Sequence, residues 1–260
     1  MHRYVLATTV MVGFLILCTE TIVEGTGAKV SEPLSVGTTS EKPGPSERKG
    51  SSQVVHTLNL SDYAGNSVDE WLQSKGLKFE ADAANRDMLN LSVSDGALTL
   101  EAREALRGIL RQNPLHLKRY SKVRIEWGVL KYPKGASYEK DVRNESIMVL
   151  VFFGEEKISS GHFISPDLPY FIGFYLCQDD QLNVPYKGKY YQEGGRYVCV
   201  GSPQPGETVV SEFDLVQAFH TYFDKSDLPP ISGIALEVDT TSSGDGGTAA
   251  AFVKRVEILE

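Results

Sequence analysis

From Val54 to the end, the chain is divided into short runs of about five to ten residues in which apolar and polar side chains tend to alternate. The runs are 54–61, 77–81, 88–94, 97–102, 123–132, 146–154, 169–177, 195–201, 208–215, 232–240 and 250–259. Side chains on a strand point alternately to its two faces, so each run reads as a strand with one buried face. Ile234, Leu236 and Val238 alternate with Ala235 and Glu237; Phe252, Val256 and Ile258 against Lys254 and Glu257 form a looser version. Asp95-Gly96 between two runs is a two-residue hairpin signal. Many short strands at this spacing predict an all-β domain, an antiparallel jelly-roll-like β-sandwich, over residues 55–260. Three segments have a helical character. Residues 67–75 begin with Ser67 and place Glu70 three positions on, as in a capping box. EAREALRGILRQ (101–112) and DLVQAFHTYF (214–223) carry apolar residues at helical spacing. One or two short helices are therefore expected beside the strands.

The first 54 residues have a different character. Residues 4–18 form an apolar stretch of 15 residues after His2 and Arg3, which fits a secretory signal and is short for a membrane span. Residues 1–25 read as a signal peptide or signal anchor, and Cys18 at the end of the apolar run leaves a lipidated form open. Residues 26–54 are rich in Gly, Ser, Thr, Pro, Lys and Glu and are expected to be a disordered linker, because they cannot bury enough apolar surface to offset their chain entropy. The chain is thus read as exported, whether periplasmic, secreted or tethered on the outer side of a membrane. The formal charge of −8 argues against a nucleic-acid partner, which needs a positive field. It also argues against polybasic attachment to anionic lipid, so membrane contact is expected only through an uncleaved or lipidated N-terminus.

No GxSxG, HExxH, P-loop or GxGxxG-after-strand pattern occurs, and the histidines after the leader (His56, His116, His162, His220) are scattered. The sharpest catalytic reading concerns Glu237 and Asp239, which a strand would project from the same face. Glycoside hydrolysis uses two such carboxyl groups. Some jelly-roll glycosidases carry a further Glu a few residues on as the acid, but here Thr240, Thr241, Ser242 and Ser243 follow. Asp239 and Asp245, with the carbonyls of DTTSSGDGG between them, offer hard oxygens for a structural calcium; the alternative is a mobile Gly-rich loop. No other cofactor is expected. Tyr186, Tyr190 and Tyr191, close to Tyr197, are candidates for stacking on sugar rings, or else make ordinary cross-strand pairs. Trp127, in phase with Val123, Ile125 and Val129, is expected in the core. Cys177 and Cys199 can form a disulfide or stay as buried thiols.

Over residues 77–260 the order of features resembles a bacterial family of exported proteins, domain of unknown function 3047. The matching pieces are IEWGVLKYPKGA (125–136), DVRNESIMVLVFFG (141–154), PYFIGFYLC (169–177), GETVVSEFDLVQAFHTYF (206–223) and ISGIALEVDTTSSGDGGTAAAFVKRVEI (231–258). The chain departs from that pattern at Gly128-Val129, in place of a second aromatic after Trp127, and in an acidic pair reduced to Asp141 and Glu145. The resemblance implies a jelly-roll sandwich similar to galactose-binding-like modules and implies no activity. The expected function is a non-catalytic module that binds carbohydrate or another envelope component. The alternatives are a carbohydrate-active hydrolase using Glu237 and Asp239, or a structural component of a secreted complex.

Overall fold

A computed structural model describes residues 52–65, 67–163 and 165–260. The predicted leader and nearly all of the predicted linker lie outside the described residues. Among the described residues, thirteen strands form two sheets. In the first, β11 (Val209–Asp214), β6 (Lys122–Lys131), β13 (Ala249–Leu259), β4 (Ala97–Ala102) and β3 (Leu89–Ser94) lie side by side, and β1 (Val54–Asn59) pairs with the C-terminal half of β13. In the second, the order is β2 (Leu77–Ala81), β5 (Arg107–Gln112), β12 (Ile231–Asp239), β7 (Glu145–Ile158), β8 (Leu168–Leu176), β10 (Gly195–Gly201) and β9 (Pro185–Tyr186). All pairings are antiparallel except β8 with β10, which run parallel. The sandwich predicted from the alternation is the fold.

Between the sheets lies the main core. Ile234, Leu236 and Val238 on β12 and Ile147, Val149, Val151 and Phe153 on β7 face Val123, Ile125, Trp127 and Val129 on β6. Trp127 is fully buried, and its indole N–H donates to Ser211 Oγ at 3.1 Å, so its one polar atom is satisfied. The looser alternation of the last strand has a cause. The register of β13 against β6 shifts between Val253 and Arg255, so the inward phase passes from Ala249, Ala251 and Val253 to Val256 and Ile258. Phe252 is left on the opposite face, against Gly128, where a Cβ would lie 2.3 Å from its ring. The glycine after Trp127 therefore makes room for this ring.

The Asp95-Gly96 hairpin forms as expected, with both residues at positive φ (51° and 66°) and Ser94 opposite Ala97. Helix α1 (Val68–Ser74) starts at Ser67, whose Oγ accepts from Glu70 N at 3.3 Å. Helix α2 (Leu215–Phe223) is capped by Asp214, which accepts from Gln217 N at 2.8 Å, and buries Leu215, Ala218, Phe219 and Phe223. The helical reading of 101–112 is overturned: this stretch is the end of β4, a four-residue corner and all of β5. On β5 the side chains alternate, with Leu110 in the core and Arg107, Ile109 and Arg111 on the other face. The apolar spacing that fits a helix arises from two strands joined at a corner.

The outer faces of the two sheets differ. On the six-stranded sheet it is a lattice of ion pairs: Arg124 with Glu212 (3.0 Å) and Glu257 (3.4 Å), and Arg255 with Glu126 (2.8 Å). This is a solvated face, and each such pair adds only about 0–1 kcal/mol. The seven-stranded sheet has a second apolar cluster outside, formed by Ile109, Met148, Leu150, Phe152, Phe171, Tyr175 and Ala235 and covered by Tyr138, Tyr191 and neighbouring loops. β7 and β12 are consequently buried on both faces over most of their length. The covered face is where the candidate site lies. No helix among the described residues is long and apolar enough to cross a membrane.

Candidate functional site

Strand register places the polar side chains of the covered face together. Asp239 at the end of β12 pairs with Arg107 on one side and with Glu145 at the start of β7 on the other. Paired residues carry side chains on the same face, with Cβ atoms roughly 5 Å apart. Glu237, two residues before Asp239, shares that face. Arg107, Glu145, Glu237 and Asp239 line one cleft of about 310 Å³ together with Tyr138, Arg143, Lys189, Tyr190, Tyr191 and Tyr197. The same-face reading of Glu237 and Asp239 thus agrees with the register. The third carboxyl group that the residues after Asp239 do not supply comes from Glu145 on β7, far away in sequence.

The charges are organised around Arg107. Its Nε donates to Glu237 Oε1 at 2.5 Å and lies 4.0 Å from Asp239. Glu237 is 5% exposed. Burial pushes its carboxyl above the usual range, and the charge and hydrogen bond of Arg107 pull it part of the way back. Arg107 in turn is held charged, first by Glu237. Glu145 is buried at 2% exposure and accepts from Tyr138 Oη at 3.0 Å. Burial, with the charges of Asp239 and Glu237 added to it, holds the Glu145 carboxyl well above the usual carboxylate range.

This makes a pH prediction. A group that keeps its proton in the folded state while losing it in the unfolded state makes stability fall as pH rises above the unfolded value, about 4.3 for glutamate. Glu145→Gln keeps the shape and an acceptor for Tyr138 but removes the titration. Its stability relative to the parent is expected to grow steadily as pH is raised from about 4.3 toward neutrality. Urea midpoints measured across that range check this; a difference independent of pH would contradict the assignment.

The tyrosines sit on a segment fixed in two ways. Cys177 and Cys199 form a disulfide, which closes the segment that carries Tyr186, Tyr190, Tyr191 and Tyr197. A cross-link over 22 residues stabilises by roughly 3 kcal/mol on the chain-entropy model. The second tie is Asp180. Its carboxylate accepts from Ser137 Oγ (2.6 Å), Tyr175 Oη (2.7 Å), Tyr138 N (3.0 Å) and Glu139 N (3.2 Å). Burial alone would raise this carboxyl, but these hydrogen bonds outweigh it and hold it below the usual range. Asp180 thereby joins the disulfide loop to the turn that places Tyr138 over Glu145. Tyr138 stacks on Tyr197 with ring centroids 4.9 Å apart.

The three candidate tyrosines separate. Tyr191 is buried at 7% exposure, takes a positive φ of 56° and donates to the Pro166 carbonyl at 2.9 Å. Tyr190 packs on His162 with centroids 4.6 Å apart, and both Tyr190 and Tyr191 line the cleft. Tyr186 makes the cross-strand pair with Tyr197 instead, and its hydroxyl accepts from Gln181 N at 3.1 Å. In the loop after β12, Asp245 accepts from Ser243 Oγ (2.5 Å) and Thr248 Oγ1 (3.3 Å) and lies 3.9 Å from Lys131. Asp239 accepts from Thr241 N (2.9 Å) and Oγ1 (2.7 Å) and faces the cleft. The two carboxylates have separate partners, and among the described residues no group of three or more His, Cys, Asp or Glu side chains is arranged to hold a metal ion. Arg107, Glu145, Tyr138, Arg143 and Asp180 were not singled out as site residues by sequence. The helical reading of 101–112 hid Arg107, and Asp180 gives no local signal.

No family model matches the chain, and no curated protein matches it. Among solved structures it is similar to carbohydrate binding modules of family 29. One is a family 29 module variant at 12% identity and a TM-score of 0.33, covering 78% of this chain and 91% of that one. Another is a variant complexed with mannohexaose, at 13% identity and a TM-score of 0.34, covering 79% and 92%.

Proposed function

We propose that the domain is an exported carbohydrate-binding module whose site is the cleft on the outer face of the seven-stranded sheet. The observation that carries this reading is the juxtaposition of Tyr190, Tyr191 and Tyr197 with the Arg107–Glu237 pair and Asp239 in a cleft of about 310 Å³. A sugar offers apolar C–H faces and a rim of hydroxyls. Tyrosine rings complement the faces, and fixed carboxylate and guanidinium groups complement the rim with charge-assisted hydrogen bonds. The volume falls within the range of small-ligand sites. The Cys177–Cys199 disulfide supports export, since such bonds persist in oxidising compartments. Calorimetry against cello-, manno-, xylo- and chito-oligosaccharides tests the reading. At least one series is expected to bind, and Tyr197→Ala is expected to weaken binding at least tenfold. Absence of binding to every series, or binding that Tyr197→Ala leaves unchanged, would count against it.

A second reading rests on Glu145. Its buried carboxyl, held above the usual carboxylate range and paired in register with Asp239, is a candidate for the acid missing from the sequence around Glu237, so the cleft also has the groups for glycoside hydrolysis. Glu145 would protonate the departing glycosidic oxygen, and Asp239 would take the proton of the attacking water or attack the anomeric carbon itself. Product analysis with Glu145→Gln checks this: retained binding with loss of turnover supports it, and absence of turnover by the parent protein on any bound oligosaccharide removes it.

A further inference from the structure

We infer that the binding face continues from this cleft into a second cavity on the same sheet, and that its occupant is a chain of several sugar units rather than a single terminal sugar. The inference rests on the carbohydrate reading and extends it to the size of the ligand.

The second cavity, about 530 Å³, is larger than the first. Its floor includes Arg111 on β5 and Phe152 on β7. Register puts both on the same face as the cleft. Arg107, Ile109 and Arg111 alternate outward along β5, Ala235 lies opposite Arg111, and Leu150 lies opposite Ala235. Arg107 and Arg111 are separated by four residues, roughly 13 Å along a strand. That span exceeds one pyranose ring. The boundary between the cavities is a single segment: Ser165 lines the first, whereas Pro166, Asp167 and Leu168 line the second. The Tyr191 hydroxyl holds that segment at Pro166.

The floor of the second cavity repeats the chemistry of the first. The Arg111 guanidinium lies over the Phe152 ring at 4.7 Å, a flat platform with N–H groups at its edge. Arg111 Nε is buried without a hydrogen-bond partner, although Glu80 is 3.4 Å away as an ion pair. The Glu80 carboxylate thus holds the guanidinium in place, and the side chain's remaining exposure, 16%, is at the cavity it lines. Glu155 and Lys157 add exposed polar groups at the rim.

Calorimetry with oligosaccharides of two to six units from the four series tests this. In any series that binds, the six-unit ligand is expected to bind at least tenfold more tightly than the two-unit ligand. Arg111→Ala is expected to remove most of that advantage while changing two-unit affinity less than twofold. Because Arg111 also packs on Phe152, the exposed double variant Glu155→Ala/Lys157→Ala provides a second readout, with a smaller loss confined to the longer ligands. Equal affinity for two and six units, or an advantage of length that both variants leave intact, would overturn the inference. Failure of every series to bind would instead overturn the carbohydrate reading on which it rests.

Discussion

Replacing Asp180 with alanine is expected to destabilise the domain by about 3–5 kcal/mol, because it strands four donors around a largely buried position. Each lost acceptor costs about 1–3 kcal/mol, and the four effects are not additive because the turn relaxes as a unit. The same change should weaken ligand binding, since Asp180 fixes the turn that places Tyr138 between Tyr197 and Glu145. Asp180→Asn preserves the shape but offers a single acceptor oxygen, so an intermediate loss is expected. The parent should also lose stability as pH falls. The folded carboxyl is held below its unfolded range, so its contribution is complete above about pH 4 and is withdrawn on acidification. Urea unfolding at pH 7 and across the range below about pH 4 measures both effects; a loss under 1 kcal/mol at pH 7 would show that the four hydrogen bonds do not hold the turn.

Arg107→Met has the second largest expected effect. It leaves Glu237 buried with its cation removed. Breaking a fully buried pair costs about 3–5 kcal/mol. Here Arg107 is 44% exposed, and Glu237 can take up a proton, so about 2 kcal/mol at neutral pH is the expected cost. The variant should regain stability as pH falls and Glu237 protonates. Adding Glu237→Met should restore most of the loss, because replacing both charges by apolar groups removes the unpaired carboxylate. Neither variant is expected to bind ligand normally. Thermal unfolding of the two variants beside the parent, at pH 5 and pH 8, checks the sign; equal destabilisation at both pH values would contradict a charge-based role.

The sandwich was legible because alternation is a local property: Ile234, Leu236 and Val238 announce a buried face without reference to any other strand. The caps at Ser67 and the Asp95-Gly96 turn are equally local. The candidate site was legible in part. Glu237 and Asp239 could be placed on one face by period alone, and Tyr190 and Tyr191 could be picked out by clustering. Glu145 and Arg107 could not be placed, because strand order brings them beside Asp239 and no spacing along the chain encodes that order. One signal was present and is informative in retrospect. The run Ile147–Phe153 does not alternate with polar residues, which marks a strand covered on both faces. A covered outer face on one sheet and an ion-pair lattice on the other distinguish the functional side from the solvated side. The error over 101–112 has a similar origin: two strands meeting at a corner can imitate helical spacing over twelve residues.

The central claim is that ligand occupies the outer face of the seven-stranded sheet. Backbone amide chemical shifts, recorded while the tightest-binding hexasaccharide of the panel is added, test it most directly. Shifts are expected to concentrate at Arg107–Arg111, Tyr138–Glu145, Lys189–Tyr197 and Glu237–Thr241. Shifts concentrated instead on β6, β11 and β13 of the six-stranded sheet would contradict the account.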